Sequence, residues 1–315
     1  MDELELENRA SAEAYCWDPT WFGLPPGTWG QILQDAICDF QEMWGIAPDG
    51  YCGDVTIRRL LLDRLADEEA VPEELDPAVT VAEVAAEEII VSGKRLPIKW
   101  PSVLTYEEQG GLKVTKGFSS RKKRKGRGCV IHWPVTYSPR QTVAVLNKRG
   151  YGTHFEIGPP IGDAAEVTIY QYVDVGHSTW HAVGANSLIG IDVSSPVYAK
   201  PKVLRKLARL GHTERPTLTG YRINGWRAPT ILGYHENQLQ ALYALLGALR
   251  SHADIELAAP AHTGDPMRIK SLKSKRDIKD GVFHHAEVDV ARRGKWDTAG
   301  IDLAHAVEEA KKHTV

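Results

Sequence analysis

Two short apolar runs constrain this chain most, because each carries a group that a core resists. Cys129-Val130-Ile131 runs straight into His132 and Trp133, and Pro134 follows. Leu188-Ile189-Gly190-Ile191-Asp192-Val193 holds a carboxylate in its middle. Short apolar runs of this length read as buried strands. An unpaired charge inside one costs free energy, so Asp192 is either paired or functional. A lone histidine at a strand end is more often a satisfied rim residue, and His132 alone reads that way.

The stretch Val282-Phe-His-His-Ala-Glu-Val-Asp-Val-Ala-Arg-Arg-Gly-Lys-Trp-Asp-Thr-Ala-Gly300 changes that reading. It packs a histidine pair, a lysine and an aspartate into one polar segment. Neutral imidazole nitrogen and carboxylate oxygen are ordinary zinc ligands, and a catalytic zinc takes three protein ligands and leaves one position for water. His285 and Asp297 supply two, with His284 the rival to His285, and His132 is the candidate third. Lys295, two residues before Asp297, can face whatever the metal polarises. The same residues also suit a charged surface loop, a common feature.

The chain is 315 residues long, enough for about two domains. Residues 1–94 carry 5 Lys+Arg against 21 Asp+Glu, a net of −16, and residues 95–315 carry 33 against 20, a net of +13. A basic body behind an acidic module suits an anionic polymer. Cys16, Cys38, Cys52 and Cys129 are too scattered for a disulfide framework or a zinc cluster. The acidic start, Met-Asp-Glu-Leu-Glu-Leu-Glu, is not a secretory signal. No run is long and apolar enough to span a bilayer. These features predict a product made in the cytoplasm.

Residues 1–28 read as an irregular lead-in with Trp17, Trp21, Phe22 and a Pro-Pro-Gly turn. From Trp29 the apolar residues fall at helical steps through Ile32, Leu33, Ala36, Ile37, Phe40, Met43 and Trp44. Pro48-Asp49-Gly50 is a turn, and Thr56 opens a second helix to Leu65. Residues 67–92 read as an acidic helical connector. Residues 94–128 carry several Pro and Gly and the run Arg121-Lys122-Lys123-Arg124-Lys125-Gly126-Arg127, which reads as a solvated loop or a contact to an anionic polymer. Beyond it, strands are expected at 129–133, 153–158, 167–173 and 188–193. Helices are expected at 141–149 and 236–250 and after Gly300. Residues 196–233 read as an insertion. The domains are therefore 1–66, helical; 67–127, an acidic then basic linker; and 128–315, the catalytic body.

The order of motifs is then a strand ending in His132, His154-Phe155, Trp180-His181-Ala182-Val183-Gly184-Ala185-Asn186, Ile189-Gly190-Ile191-Asp192, a long helix, His285-Ala286-Glu287-Val288 and Lys295-Trp296-Asp297. Over residues 128–305 this resembles the zinc-dependent N-acetylmuramoyl-L-alanine amidases shared by phage lysins, bacterial amidases and peptidoglycan recognition proteins. The Phe40-Gln41 helix and the Asp49-Gly50 turn, with Gly53 and Thr56, resemble a small three-helix peptidoglycan-binding domain. The resemblance implies an α/β fold with a mixed central β-sheet flanked by helices, preceded by a small all-α three-helix domain.

It further implies Zn2+ held by His132, His285 and Asp297, with Asp192 as general base and Lys295 stabilising the oxyanion. Asp192 replaces the family's usual glutamate. Thr153 stands where some members carry an assisting tyrosine. The Lys-Trp-Asp segment lies two residues further from His285 than is usual. Trp133, Trp180, His181 and Asn186 would line the substrate groove, with packing of the loop on the sheet as their bland alternative. The implied partner is bacterial peptidoglycan, cut between N-acetylmuramic acid and L-alanine in the manner of a phage endolysin, a bacteriolytic enzyme acting on the cell wall. The alternative is a recognition protein that binds the same polymer without cutting it. Nucleic-acid binding is disfavoured, since the basic run has no interleaved aromatics for stacking.

Overall fold

The structure is a computed structural model that describes residues 3–15, 17–22, 24–43, 47–53, 56, 88–278, 280–290, 295 and 297–314. The chain divides into two compact units, Met1–Asp76 and Pro77–Val315.

In the first unit, helix α1 spans Glu3–Tyr15 and α2 spans Gln31–Met43. Helix α2 follows its apolar period, burying Leu33, Ile37 and Phe40. Helix α1 occupies the expected irregular lead-in. Its inward face is largely polar, so it lacks the apolar period that marks a helix. Asn8 and Ser11 are buried there. Asn8 donates to the Gly50 carbonyl at 2.9 Å and accepts from the Cys52 amide at 2.8 Å, and the Ser11 hydroxyl donates to the Cys52 carbonyl. The Gln41 amide group closes the Pro-Asp-Gly turn, donating to Asp49 and Tyr51 and accepting from the Gly50 amide. Gly50 has φ +70°, a conformation that glycine adopts without a Cβ penalty. The helix expected after Thr56 lies outside the described residues.

The second unit is built on a mixed six-stranded sheet. Its strands are β3 (Val103–Thr105), β5 (Gly128–His132), β6 (Phe155–Ile157), β7 (Ile169–Gln171), β9 (Ile189–Val193) and β15 (Gly281–His284). The order is β15-β5-β9-β6-β7-β3. The first four run parallel, β6 and β7 are antiparallel, and β7 and β3 are parallel. Strands β5, β9, β6 and β15 are buried at every residue, as parallel strands covered on both faces are.

Helices α3 (Pro139–Arg149), α5 (Glu236–Ala253) and α7 (Leu303–Lys312) flank the sheet, α4 (Pro201–Arg209) buries only Leu207, and α6 (His285–Val288) is one short turn after β15. Helix α5 buries Leu242, Leu245, Leu246 and Leu249. A Cβ on Gly247 would lie 2.7 Å from the His313 backbone, so glycine there lets the C-terminal end of α7 approach α5. The insertion at 196–233 holds α4 and four two-residue strands, β10 (Thr217–Leu218), β11 (Arg222–Ile223), β12 (Trp226–Arg227) and β13 (Ile231–Leu232). Strand β14 (Arg268–Ile269) pairs with β11.

The second half of the expected linker, from residue 88, holds strands. Residues 88–127 carry β1 (Glu88–Val91), β2 (Lys94–Pro97), β3 and β4 (Phe118–Lys123). Strand β1 hydrogen-bonds with β2, β3 is an edge of the main sheet, and β4 pairs with β8 (His177–Thr179). The basic run is not simply a solvated loop. Arg124 donates to the Ala253 carbonyl at 2.6 Å, and Arg127 pairs with Asp254 at 3.0 Å. Both cations thus meet the C-terminal end of α5, where the helix dipole favours positive charge. Among the described residues no helix is long and apolar enough to cross a membrane.

Candidate metal centre

Register decides which side chains share a face. His132 pairs with Asp192, and Asp192 with Glu156. Paired residues of neighbouring strands point to the same side, so His132, Asp192 and Glu156 form a row at the carboxyl ends of β5, β9 and β6. His284 is paired with Ile131 and falls on the opposite face. Ligands of open parallel sheets sit at these carboxyl ends.

Strand β15 then turns into α6, which brings His285 level with His132. The Glu287 carboxylate accepts from the His284 amide at 2.8 Å, a capping-box contact that fixes the turn. The Ala286 amide donates to the Asp297 carbonyl, and Asp289 accepts from the Lys295 amide at 2.9 Å. These bonds hold Asp297 against the start of α6 and Lys295 against Asp289.

Three ligand atoms meet there. His132 Nδ1 lies 3.0 Å from His285 Nδ1, His285 Nδ1 lies 2.9 Å from Asp297 Oδ2, and His132 Nδ1 lies 3.5 Å from Asp297 Oδ2. Ligands at zinc–nitrogen distances of about 2.0–2.1 Å in a tetrahedron stand about 3.3 Å apart. The observed triangle therefore fits one face of such a tetrahedron, and His132, His285 and Asp297 can hold a metal. His284 is used elsewhere: its Nδ1 lies 2.8 Å from Thr298 Oγ1.

The electrostatics agree with that donor set. Burial and the neighbouring His285 push the His132 imidazole down to about 4, so it is neutral at pH 7. Burial alone would raise the Asp297 carboxyl, but the neighbouring His285 and His132 outweigh it and hold it well below the usual carboxylate range. Burial, then Glu156 and Asp297, hold the Asp192 carboxyl well above its ordinary value, with Thr153 pulling the other way. Burial raises Glu156 to about 7.

The remaining expected site residues are distributed unevenly. Lys295 is exposed, and its charge bears on His132. Trp133 is buried and donates from Nε1 to the Tyr234 hydroxyl. Trp180 is 44% exposed, so its indole is available to a ligand. The Asn186 side chain accepts from the Ala182 amide at 3.1 Å, closing the 182–186 turn. His181 turns inward: Nδ1 lies 2.9 Å from His132 Nε2, and Nε2 lies 3.1 Å from the Leu188 carbonyl. Both ring nitrogens of His181 are thus engaged within the chain.

Glu156 and Tyr234 are buried near this site and were not anticipated. Glu156 had a signal, an acid between Phe155 and Ile157 in a short strand, the same feature that marks Asp192. Tyr234 follows Gly233 in a turn-rich stretch, and nothing in its surroundings marks it.

No protein-family profile matches the chain, and no curated protein matches it. Among solved structures, the chain is similar to AmpDH3 from Pseudomonas aeruginosa in complex with anhydromuramic pentapeptide, at 17% identity and a TM-score of 0.36. The match covers 61% of this chain and 62% of that one.

Proposed function

We propose that this chain is a zinc-dependent hydrolase of peptidoglycan, an N-acetylmuramoyl-L-alanine amidase of the phage-lysin kind. The observation that carries the metal-hydrolase reading is the triangle of His132, His285 and Asp297 beside the buried Asp192. The choice of bond rests on the order of motifs along residues 128–305.

Zinc held by His132, His285 and Asp297 would supply Lewis acidity, making water a stronger acid, towards a pKa of about 7, and polarising the scissile carbonyl. The chain's own groups then do the following. Asp192 takes a proton from the attacking water on its carboxylate and gives one to the departing amide nitrogen. Positive charge held by His132, His285 and Asp297 would oppose the burial that raises the Asp192 carboxyl. The ammonium of Lys295 stabilises negative charge developing on the carbonyl oxygen, worth on the order of 3 kcal/mol for one well-placed donor. Trp180 offers an exposed aromatic face to the sugar or stem. Residues 1–66 serve as a wall-binding module.

Elemental analysis of the purified chain should give one zinc per molecule. Mass spectrometry of digested cell wall should show new L-alanine amino termini and no new reducing sugar ends. New reducing ends would mean a glycosidase. A zinc-free protein that still binds wall would mean recognition without cleavage.

A further inference from the structure

The two imidazoles His132 and His181 form a chain that ends on a backbone carbonyl. A carbonyl only accepts, so His181 Nε2 carries the proton that it gives to Leu188 at 3.1 Å. With that proton on Nε2, the neutral ring has a bare Nδ1. That bare nitrogen accepts from His132 Nε2–H at 2.9 Å. A neutral His132 with its proton on Nε2 has its lone pair on Nδ1, the atom that faces His285 and Asp297.

We infer that His181 is a positioning residue that selects the Nε2–H tautomer of His132 and aims its Nδ1 lone pair at the metal. The inference rests on reading the donor triangle as a metal site. A metal-ligating histidine needs its other nitrogen committed, most often to a carboxylate, a carbonyl or water. Here a second imidazole takes that place, and it is itself anchored by Leu188.

The sequence around it is arranged for this contact. The 182–188 segment is two consecutive turns, with the Ala185 amide bonded to the Ala182 carbonyl and the Leu188 amide to the Ala185 carbonyl. They return the chain so that the Leu188 carbonyl meets the His181 ring. Gly190 supplies the space. A Cβ there would lie 2.9 Å from His181 Cγ, so the ring lies over a position that has no side chain.

The test uses the full chain and three variants of one residue. Zinc affinity is measured by competition with a chromophoric chelator, and the melting point is measured in excess EDTA. His181→Ala is expected to weaken zinc binding roughly 10- to 100-fold, the usual effect of losing such a partner. His181→Gln should restore most of the loss, because Oε1 can accept from His132 while Nε2 donates to Leu188. His181→Phe fills the volume without either bond and should behave like His181→Ala. If Gln and Phe lose affinity equally, the ring acts by packing alone and the inference fails. It also fails if His181→Ala keeps wild-type affinity. Long-range 1H–15N spectra of the metal-free wild-type chain, labelled at histidine, read the tautomer directly and independently of the variants. An Nε2–H signature for His132 supports the inference, and an Nδ1–H signature overturns it. A wild-type chain that takes no zinc refutes the metal reading, while the spectra still decide the tautomer.

Discussion

Replacing Glu156 with glutamine should stabilise the fold at alkaline pH and leave it nearly unchanged at acid pH. Glu156 is fully buried. The Tyr172 hydroxyl donates to its Oε2 at 2.6 Å, and the Ser194 hydroxyl donates to Oε1. Burial raises the carboxyl from its ordinary 4.5 to about 7, against the pull of Ser194, Tyr172 and Thr142. A folded pKa above the unfolded one means that the fold prefers the protonated acid. That contribution is complete below pH 4.5 and is lost as pH rises to about 7. At 1.36 kcal/mol per pH unit over that window, the loss approaches about 3 kcal/mol. Glutamine has the same shape and no charge at any pH. Its oxygen accepts one hydroxyl, and its NH2 donates to the other once that hydroxyl turns.

Urea denaturation of both proteins in EDTA, at pH 4.5 and pH 8, measures the difference. Taking the difference removes groups common to both, including Glu287, which burial raises to about 8. Asp192 is coupled to Glu156, so relief of that repulsion is part of the measured gain. At pH 4.5 the two should agree within about 1 kcal/mol, the net worth of one rearranged hydrogen bond. At pH 8 the variant should lead by about 3 kcal/mol. A difference that stays constant with pH, or that turns against the variant as pH rises, would refute the reasoning.

Two further outcomes follow from the proposed metal centre. His285→Ala should abolish stoichiometric zinc, whereas His284→Ala should keep the metal and lose about 0.5–1.5 kcal/mol of stability, because Thr298 keeps its bond to the Ile131 carbonyl and loses only the one to His284. Elemental analysis beside a melting curve separates them, and metal loss in the His284 variant would reverse the assignment. Asp192→Asn should keep zinc and fold but release L-alanine termini slower by a factor of roughly 100 to 10,000, the usual worth of general acid–base catalysis. Full rate in that variant removes Asp192 from the proposed chemistry.

Much of the fold was legible because apolar period and turn residues carry it. Strands β5 and β9 follow directly from Val130-Ile131 and Ile189-Gly190-Ile191, and α5 from its leucines. Helix α1 is not legible because its buried face holds Asn8 and Ser11 beside the small Ala12, and the polar pair acts through hydrogen bonds to a turn some 40 residues away in sequence. Strand β3 was missed for a similar reason. Three residues, Val103-Leu104-Thr105, become a strand only when Ile169–Gln171 lies beside them.

The site divides the same way. His132, Asp192, His285 and Asp297 are legible as residues out of place in apolar or loop surroundings, and the register then puts His132 and Asp192 on one face. His181 is expected either to line the groove with Trp180 or to pack the loop on the sheet. Adjacent residues can point in opposite directions, and the structure exposes the tryptophan while turning the histidine inward.

Gly190 tests whether that inward turn matters to the metal. A Cβ at this position would stand 2.7 Å from Thr153 Oγ1 and 2.9 Å from His181 Cγ. Thr153 is 1% exposed, and His181 is held at both ring nitrogens. Neither neighbour is the free end of a flexible chain, so Gly190→Ala must tilt the imidazole or bend the strand. Overpacking of this kind costs about 1–3 kcal/mol, which EDTA melts will register. The sharper readout is coupling. If the added methyl weakens zinc binding by displacing His181, the Gly190→Ala, His181→Ala double variant should bind zinc no worse than His181→Ala alone, since the contact is already gone. If the methyl acts by bending β9 and moving Asp192 or its neighbours, the two losses should add. Additive losses, or a Gly190→Ala chain with wild-type zinc affinity, would mean that the open space at Gly190 serves the sheet and not the ring above it.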